Sequence, residues 1–269
     1  MRKLLISALF VFLFIISVKA QKDTAFASVR YTFTHLEDTT WPENPSKLNM
    51  ILLLGKNMSR YTLFDRFERV RNNPATAFGA MSPTMAAEIA VVEDYIKDIT
   101  NGKLSYMAYP NGKLFAVEEN IPVINWNITQ ETKEIMGLAC QKATAEFRGR
   151  VYDAWFCSQL PYNNGPWKLG GLPGLIIEAY DAKKEVVFSF VSFENVTGAQ
   201  IPIQVAGFAV KATVKEFEQY QAAVEKDRKA NVGSSSMAGG SVVVSGSIRA
   251  VTDGKPARRR QLNNPIEKK

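Results

Sequence analysis

Residues 21–231 are predicted to form one α+β domain: a single strongly curved antiparallel β-sheet, a half-barrel-like meander, with two helices packed against it. Three observations predict this. Apolar and polar residues alternate with period two through much of the chain, apolar residues recur at helical spacing in only two places, and residues 185–193 are apolar at both parities. A strand of that last kind asks for cover on both sheet faces.

The chain opens with Arg2 and Lys3, an apolar run over residues 4–18, and a cleavage-like Val18-Lys19-Ala20. That is the pattern of a secretory signal peptide over residues 1–20, so the protein is expected to be exported, with no transmembrane segment once the signal is removed. The net charge of +7 resides at the ends: residues 21–254 carry about −1, whereas the tail from Lys255 to Lys269 carries about +5. A near-neutral body offers no basic face for nucleic acid.

Within the body, residues 27–35 alternate as a half-buried strand. Residues 48–54 and 58–67 read as a hairpin about Gly55-Lys56-Asn57. His35, the only histidine, ends the first strand beside Glu37 and Asp38; a hydrogen-bonded strand-end residue is the favoured reading over a catalytic base. Ser82 and Pro83 then open a helix over residues 82–99, with Met85, Ile89, Val92, Ile96 and Ile99 as its apolar stripe and Asp94, Lys97 and Asp98 toward solvent. Asn101-Gly102 ends it. Strands follow at residues 104–109 and 113–118 about the turn signal Asn111-Gly112, and again at 123–129.

A two-residue turn at Arg148-Gly149 places Cys140 directly opposite Cys157, in the class of pair whose side chains approach closely. On an exported chain this register favours a disulfide. Two thiols supply too few ligands for a metal, and a redox pair more often has Cys-x-x-Cys spacing. Ala143, Ala145, Phe147, Tyr152, Ala154 and Phe156 share one face of the hairpin; Lys142, Thr144, Glu146, Val151, Asp153 and Trp155 share the other with the cysteines.

The centre of the chain is Gly165-Pro166-Trp167-Lys168-Leu169-Gly170-Gly171-Leu172-Pro173-Gly174-Leu175-Ile176. Glycine and proline set tight turns while Trp167, Leu169, Leu172, Leu175 and Ile176 seek burial, which predicts a packed junction feeding a strand. A phosphate cradle would feed a helix instead. Residues 175–180 and 185–193 form the next hairpin, followed by a strand at 201–210. Thr213 and Glu216 make a capping box for a helix to about Lys229 lined by Phe217, Tyr220 and Val224. Residues 232–269 comprise a Gly/Ser-rich linker, a possible terminal strand and a solvated basic tail.

The run Gly171-Leu172-Pro173-Gly174-Leu175-Ile176 resembles the signature of the GLPGLI family of bacterial envelope proteins. Trp126, Cys140 with Cys157, Phe147-Arg148-Gly149-Arg150 and Ala154-Trp155 fit that resemblance too, over roughly residues 27–229. The family has no assigned activity, so the resemblance implies a class and a compartment, periplasmic or outer-membrane-associated, and no reaction or cofactor. The order of Gly-Leu-Pro, strand, Asp-containing turn and aromatic strand is also similar to that of outer-membrane lipoprotein carrier proteins, in which a half-open barrel shelters acyl chains.

Two functional classes follow. The first is a non-enzymatic envelope protein that binds a hydrophobic, lipid-like ligand or a partner protein, with Phe188, Phe190, Val187, Val191 and Phe193 as candidate lining. The second is a carboxylate-dependent hydrolase using Glu178 with Asp181, or Asp153 with Glu146. No cofactor or metal is expected in either.

Overall fold

The computed structural model describes residues 23–72, 94–197, 201–232 and 261–268. In chain order these form β1 (Asp23–His35), β2 (Ser46–Gly55), β3 (Met58–Leu63), α1 (Phe64–Asn72), β4 (Asp94–Asp98), β5 (Lys103–Ala108), β6 (Phe115–Asn120), β7 (Asn127–Ile135), β8 (Leu138–Phe147), β9 (Arg150–Cys157), β10 (Leu175–Asp181), β11 (Val186–Asn195), β12 (Pro202–Ile203), β13 (Val210–Thr213) and α2 (Val214–Val232). One sheet of 13 strands runs β13-β6-β5-β4-β3-β2-β1-β11-β10-β9-β8-β7, with β12 paired to β1 off this path. The sheet is mixed, because β13 joins β6 in parallel while the other described pairings are antiparallel.

Local chemistry explains several elements. At the β8–β9 turn Arg148 and Gly149 both take positive φ, the twist that a two-residue hairpin requires, and the ladder pairs Phe147 with Arg150 and Gln141 with Phe156, the expected register. The face bearing Ala143, Ala145, Phe147, Tyr152, Ala154 and Phe156 is buried throughout. The capping box also forms: the Thr213 N–H donates to Glu216 Oε2 at 2.7 Å, and the Glu216 N–H donates to Thr213 Oγ1 at 3.3 Å. From that start α2 lays Phe217 and Tyr220 against Phe115 of β6.

Both faces of the central strands are used. Met50, Leu52 and Leu54 of β2 join the main core with Tyr31, Trp167 and Phe188, while Ile51 and Leu53 join a second cluster covered by Phe64 and Phe67 of α1.

Five expectations are corrected. Residues 64–67 are helix rather than strand. Residues 94–98 are strand β4 rather than the end of a helix; the remainder of that expected helix, 82–93, lies outside the described residues. Tyr95 and Ile96 are buried on opposite faces, as in a strand covered on both sides; of the apolar stripe that suggested a helix, β4 contains Ile96 alone and Ile99 follows it. Asp94, assigned to solvent, is buried between Arg60 at 2.5 Å and Arg66 at 3.3 Å, and these guanidiniums hold its carboxyl below the usual range against the cost of burial. The expected strand over 201–210 is reduced to two short ones, β12 and β13. Finally, the tail is not solvated over 261–268: it docks on the ends of β1 and β9, with Asn264 buried. The signal peptide and residues 233–260 lie outside the described residues.

Candidate functional site

The loop between β9 and β10 folds onto the main core as the sequence predicts. Trp167, Leu169, Leu172, Leu175 and Ile176 are buried, and the Trp167 ring meets Phe147, Tyr152 and Phe188 at centroid distances of 5.6, 6.3 and 6.3 Å. Tyr31 donates its hydroxyl hydrogen bond to the Ile176 carbonyl at 2.7 Å, and Trp126 donates to the Gly170 carbonyl at 2.9 Å. Gly171 sits at φ +87° and Pro173 is exposed, whereas Gly174 packs against the Cys157 backbone.

Lys97 of β4 holds this loop from below. Its ammonium donates to Asn164 Oδ1 at 3.0 Å, to the Gly165 carbonyl at 3.3 Å and to the Leu169 carbonyl at 2.6 Å. The side chain is buried without a carboxylate contact in that set, and burial lowers its pKa to about 7. Asn164 also accepts from the Gly165 N–H and donates to Ser59 Oγ, fixing the loop start to β3. Higher in the loop, Lys168 pairs with Glu119 at 2.5 Å and Glu267 at 2.7 Å.

Beside this unit opens a cleft of about 480 Å³ lined by Phe26, Leu54, Gly55, Lys56, Ile99, Tyr162, Asn163 and Asn164. Phe26 is bulged out of β1 where the ladder with β2 shifts, and the residue is 40 % exposed; Ile99 is 53 % exposed. Phe26 lies 5.6 Å from Tyr162 in the lining, and Tyr162 in turn stacks on Phe193, outside the lining, at 6.1 Å. The lining includes the buried Asn164, whose Oδ1 accepts from Lys97.

The candidate lining residues divide between two environments. Phe188 is buried, stacked on Phe33 at 4.9 Å and edge-on to Tyr61 at 6.4 Å, so the signature loop and neighbouring strands fill the space around it. Phe190 and Phe193 pack partly buried against the same core. A register shift in β11 explains the apolar residues at both parities: Phe188, Phe190 and Phe193 pair with Phe33, Tyr31 and Val29, which share one face, and the extra residue Val191 restores Phe193 to that face. Val187 and Val191 lie on the other side, half-buried and exposed. Phe193 had been expected on their face, and the bulge corrects this.

Three of the four acids considered for hydrolysis are engaged with a cation. Glu178 pairs with Lys133 at 2.5 Å, Asp181 with Arg150 at 2.5 Å, and Asp153 with Lys142 at 3.2 Å, while Glu146 is exposed. His35 is a buried strand-end residue whose Nε2 lies 2.8 Å from the Asn264 carbonyl, and burial lowers its pKa. Cys140 and Cys157, expected as a disulfide, are buried free thiols just beyond the Gln141–Phe156 pair, near Leu138 O and Gln159 Oε1; burial and then Cys157 push the Cys140 thiol up to about 11. Among the described residues, no group of three or more His, Cys, Asp and Glu is placed to hold a metal ion, and no helix is long and apolar enough to cross a membrane.

Sequence reasoning missed Lys97, Phe26, Ile99, Tyr162 and Asn164. Tyr162-Asn163-Asn164 directly before Gly165 is a polar-aromatic approach to the signature that a reading of loop chemistry can flag. Lys97 carries no such signal, since a lysine amid apolar residues reads as a solvent-facing position.

Residues 147–178 match the model of the Porph_ging family, described as a protein of unknown function; this is the stretch of β9, the signature loop and β10. Among curated proteins none matches the chain. The fold is similar to the structures of PNGF-II in its P21 and C2 space groups, with TM-scores of 0.51 and 0.50 at 16% and 15% identity, covering 78% and 77% of this chain. The chain spans about a third of the length of those proteins, 34% and 33%. At that identity the likeness bears on the β-rich fold alone.

Proposed function

We propose that the protein is an exported, non-enzymatic envelope protein that binds a small hydrophobic ligand in the cleft of Phe26, Leu54, Ile99 and Tyr162. The observation that carries this reading is a concave site of about 480 Å³ with exposed aromatic and aliphatic walls, a size that suits a small molecule better than a flat protein partner. Partly exposed rings in its lining bury surface when a ligand arrives, and the Lys97 contact holds Asn164 in place beforehand, which limits the ordering cost of binding. We read the sheet as bent around the signature loop; the 3.1 Å contact of Arg148, in the β8–β9 turn, with Glu119 of β6 supports this, since those strands lie near opposite ends of the sheet order.

A naphthylamine-type fluorescent probe is expected to bind saturably and one to one, with Phe26→Ala and Tyr162→Ala each weakening it at least about tenfold at unchanged thermal stability, as loss of aromatic anchors does. Native mass spectrometry of protein taken from its own envelope should show a co-purifying small molecule. Absence of both saturable probe binding and a co-purified molecule would remove the ligand reading and leave the partner-protein role.

We also propose that export joins Cys140 to Cys157. Each thiol loses its proton and one electron to an envelope thiol oxidant as the S–S bond forms; the support is that Cys140 and Cys157 lie directly beyond Gln141–Phe156, the last pair of the ladder. The raised Cys140 pKa makes the uncatalysed reaction slow. Under non-reducing denaturation, protein recovered from the envelope should resist alkylation at both cysteines; full alkylation there rejects the bond.

A further inference from the structure

The docked C-terminal segment is held the way a receptor holds a peptide. All five N–H donors of the buried Arg150 guanidinium face its surroundings with a partner. Nε donates to the Ile266 carbonyl at 3.0 Å, Nη2 to Asn264 Oδ1 and the Pro265 carbonyl at 2.7 Å each, and Nη1 to Asp181 at 2.5 Å and Glu185 at 3.0 Å. The two carboxylates fix the guanidinium from one side, and the tail takes the other. A planar fork so oriented reads geometry, not merely charge.

Asn264 is matched at every polar group. Its Oδ1 accepts from Arg150, its Nδ2 donates to the Leu36 carbonyl at 2.7 Å, its N–H donates to the Glu37 carbonyl at 3.1 Å, and its own carbonyl lies 2.8 Å from His35 Nε2. Asn263 adds a second reading, accepting from Thr39 N–H and Oγ1. Downstream, Glu267 meets Lys168 at 2.7 Å and Arg148 at 3.7 Å, and the Lys268 N–H donates to the Arg148 carbonyl at 2.9 Å. Gly149 leaves the room this requires: a Cβ there would stand 2.8 Å from Lys268 Cβ and 2.9 Å from its carbonyl oxygen.

The segment joins no strand of the sheet ladder, so it is held by side-chain contacts to Arg150, His35 and Lys168 and by isolated main-chain hydrogen bonds to Glu37 and Arg148 rather than by completion of the sheet. Along the chain, 28 residues separate the end of α2 from Gln261, a tether that can span at most roughly 100 Å. Nothing in that length obliges the peptide to dock for the sheet to form.

We propose that the end of β1, the β8–β9 turn and the β10–β11 turn form a peptide-recognition site specific for Asn264-Pro265-Ile266-Glu267, occupied here by the chain's own terminal segment. The site takes that sequence as a separable ligand. Arg150 and His35 read the asparagine and the carbonyls around it, and the cationic pair Arg148 and Lys168 reads the acid.

The test uses the full chain with a weakened tail, Asn264→Ala, and a fluorescein-labelled nonapeptide of residues 261–269. Fluorescence anisotropy should show saturable binding to this variant, at least tenfold weaker binding to the wild-type chain, whose site is filled, and at least tenfold weaker binding of the same peptide carrying alanine for its Asn264. Glu267→Lys, which weakens the tail at its other end, is a second host for the peptide. Equal binding of the alanine peptide, or no binding to hosts that melt as cooperatively as wild type, overturns the proposal. Failure of both hosts to fold also overturns it, because the tail is then part of the core and not a ligand.

Discussion

Gly174→Val should unfold the signature loop and lower stability by about 3 kcal/mol, or about 10 °C in Tm for a domain of this size. A Cβ at Gly174 would stand 2.4 Å from the Cys157 carbonyl oxygen, 2.7 Å from its carbon and 3.0 Å from Ser158 Cα. All three are main-chain atoms at the end of β9, so no side chain can swing aside to relieve the contact. Separating the strands by an ångström would break the Leu175–Cys157 pairing that starts β10. Gly171 offers the control. Its φ of +87° disfavours a side chain, yet a Cβ there meets nothing within 4 Å, so Gly171→Ala should cost only about 1 kcal/mol of backbone strain. Chemical denaturation of the two variants separates close approach from conformational preference. A Gly174→Val protein as stable as wild type that had lost probe binding would move this glycine from the fold to the ligand site.

Legibility in the sequence followed the range of the forces involved. The β8–β9 register was readable because Arg148 and Gly149 set it locally, and the α2 start because Thr213 and Glu216 close on each other within one turn. The burial of the signature loop was readable because large apolar side chains between turn formers leave few alternatives. Where long-range partners decide, the sequence misled. Asp94 and Lys97 were given to solvent by their charge, but one meets two arginines from β3 and α1 and the other meets a loop more than 60 residues away. The two-faced apolar pattern of β11 pointed to a strand sandwiched between layers. A single bulged residue, Val191, produces the same pattern by restoring Phe193 to the inner side. The tail was read from its composition as solvated, whereas its fate is set by Arg150, whose five donors come to bear only after β9, β10 and β11 assemble. Half of the candidate site was therefore legible, the loop, and the cleft was not, because Phe26, Ile99 and Tyr162 meet only through the sheet.

Raising the pH from 7 to 9 should stabilise the wild-type protein by about 2 kcal/mol through Lys97, and Lys97→Met should abolish that gain. Burial lowers the folded-state pKa of Lys97 to about 7, while the unfolded chain keeps the ordinary value of 10.5. Between those values the unfolded state binds a proton that the folded state does not, so stability rises with pH, at most about 1.4 kcal/mol per unit. The penalty of burying the charge is complete below pH 7 and gone above 10.5. Measurement is cleanest between pH 7 and 9, since the Cys140 thiol, pushed up to about 11, and the buried hydroxyls of Tyr31 and Tyr61 act in the opposite sense at higher pH. Lys97→Met keeps the volume but leaves Asn164 Oδ1 and the Gly165 and Leu169 carbonyls without this donor. At pH 9, where the neutral amine still donates, the variant should therefore be less stable by about 2 kcal/mol, and the difference should narrow toward pH 6 as the wild type bears a buried charge. Urea denaturation across this range measures both. Parallel profiles for the two proteins would mean that the three acceptors keep the ammonium charged, and that the signature loop is anchored by a permanent cation.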